Sequence, residues 1–308
     1  MTDRIIRVGT RPSKMALFQA NRVAATLREL DLDTTVEVVE ISTEGDRWGG
    51  PLAALGGKGA FVRELDQAQL EGRFDIGVHC LKDIPGDVPL PEGLTIAAYS
   101  PREDVHDAVI SRTGADLDGL TAGATVGTSS VRRCAQLARH WPHLRTEPIR
   151  GNADTRLRKL DEGGYDAIIL AAAGLQRLGL TRRITAVVAT DKMLPAVGAG
   201  VIAITTSTDD PHAGELVTLL DDPATRQAAT AERTLLQELV CHCHSPIAGH
   251  ATTQPDGTLH LHAAVYTPDG QAALEATEWG TDPEALGTSV AHTLLTKGAR
   301  DIIDSTCQ

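Results

Sequence analysis

Aromatic residues are scarce, with three each of Phe, Trp and Tyr making 3% of the 308 residues. Ala, Val, Leu and Ile must therefore do most of the packing. Positive charge is also in deficit, the formal net charge being −12, which argues against non-specific binding to nucleic acid or acidic membranes. Any anion site must then be local. No apolar run approaches bilayer-spanning length, and no charged and apolar leader precedes Arg4-Ile5-Ile6-Arg7-Val8, so a soluble, cytoplasmic chain is expected. The five cysteines (Cys80, Cys134, Cys241, Cys243, Cys307) are odd in number and scattered, unlike a secreted disulfide framework. Reduced thiols are the expectation. Phosphate-loop signals are missing as well. Gly56-Gly57-Lys58-Gly59 lacks P-loop spacing and its Lys-Ser/Thr ending, and no Gly-x-Gly-x-x-Gly follows the first strand, which disfavours nucleotide binding.

What is present alternates as a βα chain should. Ile5 to Gly9 reads as a strand, Thr10-Arg11-Pro12-Ser13 as a turn with capping chemistry, and Met15 to Leu30 as an apolar-periodic helix. Val36 to Ile41 is a second strand. Gly56 to Gly59 opens a helix carrying Phe61, Leu65 and Leu70, followed by a strand from Phe74 to Val78 and an apolar run from Leu94 to Tyr99. A similar unit follows, with strands at Asp107 to Ser111, Ala124 to Gly127 and Tyr165 to Leu170. Its helices lie after Thr128-Ser129-Ser130, around Thr155 to Leu160, and from Ala171 to Gly179. This alternation predicts parallel sheets in two lobes with a cleft, and no internal sequence repeat is convincing. Gly198-Ala199-Gly200 reads as a crossover or hinge. The last segment has a long helix from Pro223 to about Val240 with Asp222 as N-cap, two strands (Leu259 to Tyr266, Ala272 to Glu278) and a helix from Pro283 to Lys297. The expected fold class is α/β: two periplasmic-binding-protein-like α/β domains (1–99 with 199–217, and 100–198) plus a small C-terminal α+β domain, 218–308.

The strand ending at Val78 runs into His79-Cys80-Leu81-Lys82-Asp83-Ile84-Pro85, which sets a carboxylate beside a cation where α/β sheets bind ligands. Alone, Lys82 and Asp83 would be an ordinary surface pair. Their company changes this. Arg11, Arg132, Arg133, Arg150, Arg156 and Arg177 all fall just past strand ends or in first helical turns, with Ser13, Thr128, Ser129 and Ser130 supplying hydroxyls. Helix N-termini favour anions, and Arg adds a two-pronged clamp. Each alone reads as a solvated helix residue, but six together suggest a ligand with many carboxylates.

Cys241-His242-Cys243-His244-Ser245-Pro246, with His250, His260 and His262 after it, leaves three readings open: a zinc site, a nucleophilic or tethering cysteine, and a buried inert thiol. Cys-x-Cys is not the usual zinc-knuckle spacing.

Taken in order, Arg7-Val8-Gly9-Thr10-Arg11-Pro12-Ser13, Gly57-Lys58-Gly59-Ala60-Phe61, His79 to Pro85, Gly127-Thr128-Ser129-Ser130-Val131-Arg132-Arg133, Arg150-Gly151-Asn152 to Arg156-Leu157 and Ala173 to Gly179 resemble the porphobilinogen deaminase (hydroxymethylbilane synthase) family. The resemblance spans residues 4 to 304 or so. It implies a monomeric cytoplasmic transferase of tetrapyrrole and heme biosynthesis, without nucleic-acid or membrane partners. Four porphobilinogen molecules would be condensed head to tail, with release of ammonia, on a covalent dipyrromethane cofactor. By the family pattern Cys-x-x-Pro, the tether falls on Cys243. Asp83 matches the catalytic carboxylate. Lys82, Ser13, Thr128, Ser129, Ser130, Arg132 and Arg133 match cofactor-holding residues, and Arg11, Arg150, Arg156 and Arg177 match those that hold substrate carboxylates. No metal is implied. The chain departs from the family at Cys241-His242, where Gly-Gly is usual, at Cys80 for Ser, at Ala199 for Gln, and at Thr205, near which an acid is usual. The alternatives are a divergent paralogue with altered activity, to which these departures point, and a non-catalytic two-lobed carboxylate-binding protein, which would have no reason to retain Asp83 and Cys243 together.

Overall fold

A computed structural model describes residues 5–30, 35–48, 59–240 and 245–306. Its framework is two five-stranded sheets and one three-stranded sheet. The first contains β1 (Ile5–Thr10), β2 (Thr35–Glu40), β3 (Ile76–Cys80) and β4 (Leu94–Tyr99). The second contains β5 (Asp107–Ser111), β6 (Thr125–Gly127), β7 (Arg145–Glu147), β8 (Ala167–Ala171) and β9 (Ala186–Val188). The chain then returns to the first sheet as β10 (Ile202–Ser207). The strand orders are β2-β1-β3-β10-β4 and β7-β6-β8-β5-β9. In both, the fourth strand is antiparallel to its neighbours. The sheets are therefore mixed, which corrects the expectation of parallel sheets: the strand nearest each crossing runs against the βα direction. The two sheets share one topology although their sequences show no repeat.

Two segments, 100–106 and 189–201, link the lobes. They touch where Glu103 N–H donates to Gly200 O at 2.8 Å. Gly200 has φ 74°, and a Cβ there would lie 2.3 Å from Glu103 O, so only glycine fits the contact.

Aliphatic side chains fill the cores as the composition requires. Ile6, Val8, Leu27 and Ile76 pack the first sheet against the helix Lys14–Leu30, and Ile110, Leu157, Leu160 and Ile168 pack one face of the second sheet. Each fully buried Leu or Ile contributes about 1.5–3 kcal/mol.

The C-terminal unit is β11 (Ile247–Thr253), β12 (Leu259–Tyr266) and β13 (Ala273–Gly280), antiparallel, under the helices Pro223–Leu239 and Pro283–Thr296. Three strands stand where two were expected. β11 begins inside the segment read as a loop cluster. The two helices approach closely at Gly287, where a Cβ would lie 2.5 Å from Ala231 O. Asp222 caps the first helix, accepting Thr225 N–H at 2.7 Å. Val240 ends that helix with φ 43°, a left-handed conformation strained for a β-branched residue.

Candidate active site

The strand ending the first lobe's central layer is Ile76–Cys80, two residues later than Phe74 to Val78, because Phe74 precedes the ladder and packs beneath it. Its end turns at once into a 3₁₀ segment, Leu81–Asp83. Leu81 is buried and its N–H donates to Val201 O at 3.0 Å, so β10's entry pins the turn. Lys82 is left exposed and Asp83 half-buried. Both line a cavity of about 330 Å³ that Ser130 and Arg132 close from the second lobe and Ser245 and Ile247 close from the C-terminal unit. All three units thus meet at one cavity.

Ser130 caps the helix Val131–His140, accepting Arg133 N–H at 3.4 Å. Arg132 and Arg133, in the first turn of that helix, are directed inward onto Asp107, at the start of β5. Arg132 Nη2 donates to Asp107 Oδ2 at 2.7 Å and Nη1 to Leu194 O at 2.7 Å. Arg133 donates through Nε and Nη2 to Asp107 Oδ1 and through Nη1 to Ile169 O. Burial alone would raise the Asp107 carboxyl, but the two guanidiniums hold it well below the usual carboxylate range. Arg132 Nε remains buried without a hydrogen-bond partner, and such atoms call for an additional acceptor.

Arg150 and Arg156 flank the start of the helix Ala153–Asp161, which Asn152 caps. Arg156 Nε donates to Gly151 O at 2.8 Å. Burial, together with Arg133 and Arg150 nearby, lowers Arg156 to about 10. Cations gathered in this way favour an anionic ligand there.

The other expected residues are placed differently. Arg11 lies over Phe61 at 4.1 Å, and its Nε donates to both carboxylate oxygens of Asp46, at 3.1 and 3.2 Å. Burial opposes ionisation of Asp46, yet Arg11 holds its carboxyl below the usual range. Phe61 was expected within a helix but precedes Arg63–Leu70. Arg177 Nε donates to Glu103 Oε2 at 2.6 Å, and its Nη1 approaches Cys80 Sγ at 3.9 Å, which ties the second lobe to the first. Burial, then Asp83, pushes the Cys80 thiol up. Ser13 Oγ accepts Ala16 N–H at 3.3 Å, Thr128 Oγ1 accepts Ser130 N–H at 3.2 Å, and Ser129 Oγ donates to Ile149 O at 2.8 Å. These three hydroxyls shape the loops. Cys243 lies outside the described residues, as do Cys241, His242, His244 and the Gly56 to Lys58 loop. Sequence reasoning missed Asp46, Glu103 and Asp107, the acids that set the arginines.

A dipyrromethane fits what is present. Its carboxylates would meet Lys82, Ser130 and the unpartnered Arg132 Nε, and the cavity wall includes Ser245, two residues past Cys243.

Fold and site together define a two-lobed α/β protein in which a carboxylate and cations share one cavity between domains. Residues 6–215 match the family described as porphobilinogen deaminase, dipyromethane cofactor binding domain, and residues 226–296 match the porphobilinogen deaminase C-terminal domain. The chain belongs to the porphobilinogen deaminase family. It is 50% identical over 302 residues to porphobilinogen deaminase 2 of Streptomyces coelicolor, covering 97% of this chain and 96% of that one. It is 48% identical over 300 residues to the Acidithiobacillus ferrooxidans porphobilinogen deaminase, covering 97% of each. Among solved structures, there is a partial likeness to a periplasmic substrate-binding protein of an ABC transporter from Coxiella burnetii (TM-score 0.45, 16% identity, 74% of this chain and 96% of that one). The methionine-binding protein MetQ is another (TM-score 0.46, 14% identity, 70% and 89%).

Proposed function

We propose that this chain is a hydroxymethylbilane synthase, a transferase that joins four porphobilinogen molecules head to tail, releasing ammonia at each step, and finally frees hydroxymethylbilane. Family membership over nearly the whole chain supports the reading. The single observation that carries it is the cavity holding both signs, Asp83 with Lys82 and Arg132. Each condensation breaks the aminomethyl C–N bond and forms a C–C bond to a pyrrole α-carbon, so positive charge develops on the substrate carbon as ammonia leaves. Asp83 offers a carboxylate to that charge and to the pyrrole N–H. Arg132, Arg150 and Arg156 clamp the acetate and propionate groups, and Arg11, Arg133 and Arg177, which are paired with Asp46, Asp107 and Glu103, would join them by exchanging those acids for substrate carboxylates. Ser13, Thr128, Ser129 and Ser130 hold the loops that aim them. When bound, the dipyrromethane supplies a free α-carbon to which the first substrate is joined.

The domain limits that go with this reading are 1–99 with 199–217, 100–198, and 218–308, the last carrying Cys243. The protein acts as a cytoplasmic monomer without nucleic-acid or membrane partners. Among the described residues no helix is long and apolar enough to cross a membrane.

Intact-protein mass spectrometry tests function and tether together. The purified chain should carry one dipyrromethane, Cys241→Ser should keep it, and Cys243→Ser should fold without it, because a hydroxyl is too poor a nucleophile to replace the thiolate. An adduct mapped to Cys241 would overturn the tether, and an unmodified active protein would overturn the mechanism.

A further inference from the structure

The cavity between the domains makes no use of the histidines that follow the Cys/His cluster, yet strand register gathers three of them. His250 on β11 stands directly opposite His262 on β12. His260 lies two residues along β12, on the same side of the pleat. The alternate positions Ala251, Leu259, Leu261 and Ala263 are buried in the core, so the imidazoles occupy the outer face of the sheet. On β13 the same face presents Glu275, whose Oε2 is 3.5 Å from His262 Nε2. It also presents Trp279, the register partner of His260, which stacks on it with ring centroids 4.2 Å apart. Two more imidazoles come from neighbouring units: His106 is within electrostatic reach of His250, and His140 within reach of Glu275.

We propose that this face is a divalent transition-metal site, with His250 and His262 as a cross-strand chelating pair and His260 as a third nitrogen donor. Residues directly opposite in antiparallel strands have Cα atoms about 4.5–5.5 Å apart. Two imidazoles so placed can turn toward one ion about 2.0–2.1 Å from each nitrogen. Metal binding needs uncharged imidazole. In the present rotamers no three His, Cys, Asp or Glu side chains among the described residues converge on one point, because His260 is turned onto Trp279. The opposed pair therefore binds first, and His260 joins by leaving the indole. Imidazole nitrogens with one adjacent carboxylate suit Cu²⁺, Ni²⁺ and Zn²⁺ and exclude Ca²⁺ and Mg²⁺.

Ni²⁺ is the probe of choice, since thiolates compete for it less than for Zn²⁺. Equilibrium dialysis of the full-length holoenzyme should find one Ni²⁺ per chain, with His250→Asn and His262→Asn each weakening binding by at least about tenfold. Both variants alter a partly exposed sheet face, and circular dichroism checks their folding. Binding should also perturb Trp279 fluorescence, and Trp279→Phe should abolish that signal while keeping the ion. No stoichiometric binding by the wild type, or undiminished binding by the His250→Asn/His262→Asn double variant, would overturn the site.

Discussion

Arg102 Nη2 donates to both carboxylate oxygens of Glu232, at 2.7 and 2.8 Å, and this pair joins both lobe-crossing segments to the C-terminal unit. Arg102 belongs to the first crossing and also donates to Ala199 O in the second and to Ala251 O in β11. Glu232, fully buried, accepts the N–H groups of Gly198 and Ala251, each at 2.7 Å.

Removing the charge of Glu232 should therefore do more than loosen a helix. Glu232→Gln leaves Arg102 buried without its counter-charge, which should destabilise the protein by about 3–5 kcal/mol. Urea unfolding measures this directly. A loss below about 1 kcal/mol would show the pair to be energetically idle.

At Asp83 the expected effect is on chemistry and not on folding. Asp83→Ala should retain the covalent cofactor while turnover falls by roughly 100-fold or more, because the developing cation loses its carboxylate. Asp83→Glu should be milder. Near wild-type turnover in Asp83→Ala would remove the carboxylate from the mechanism.

The arginines can be separated by counting enzyme-bound pyrroles by mass after exposure to porphobilinogen. Arg11→Leu, Arg150→Leu and Arg156→Leu should each stall or lose intermediates, and the Lys variants should recover only in part because Lys lacks the planar fork. Arg11→Leu should in addition lower thermal stability, since it strands Asp46. An unchanged ladder in all three would make these residues ordinary surface cations.

Acid sensitivity should trace in part to His79. Burial, then Arg11, lowers this imidazole to about 4 from 6.5. Its Nε2 instead meets Thr205 Oγ1 at 3.2 Å. Between those values the unfolded chain binds the proton and the folded one does not, so stability falls as pH drops from about 6.5 to 4, by about 3 kcal/mol from this group. Asp66, raised by burial to about 6, acts in the opposite direction over part of the same window. The measurement is thus a comparison: urea midpoints at several pH values should decline less steeply in His79→Asn than in wild type, and parallel slopes would refute the assignment.

Long apolar elements were legible in the sequence because their burial is written locally. Asp107–Ser111 and Leu259–Tyr266 were read at their observed limits, and Asp222 as a cap was visible from its place before Pro223. Arg145–Glu147 could not be read, since all three of its residues are exposed and polar, and Ala186–Val188 is too short for a pattern. Ile202–Ser207 hid behind the hinge glycines, and its antiparallel direction follows from a return path that no local signal encodes. The site divides in the same way. Residue types at strand ends announced the arginines, but the acids that orient them are distant in sequence: Asp46 lies 35 residues from Arg11, Asp107 26 from Arg133, and Glu103 74 from Arg177.

The crowding of Arg133, Arg150 and Arg156, with Arg132 Nε unanswered, gives the polypeptide an unfinished interior. An anion that completes it would bind the folded chain and not the unfolded one, so its occupancy adds to folding stability. A protein built this way is least robust at birth, before it has acquired its prosthetic group. On the proposed function each added pyrrole unit, with its two carboxylates, would supply counter-charge there, and the enzyme's stability should rise as its product grows.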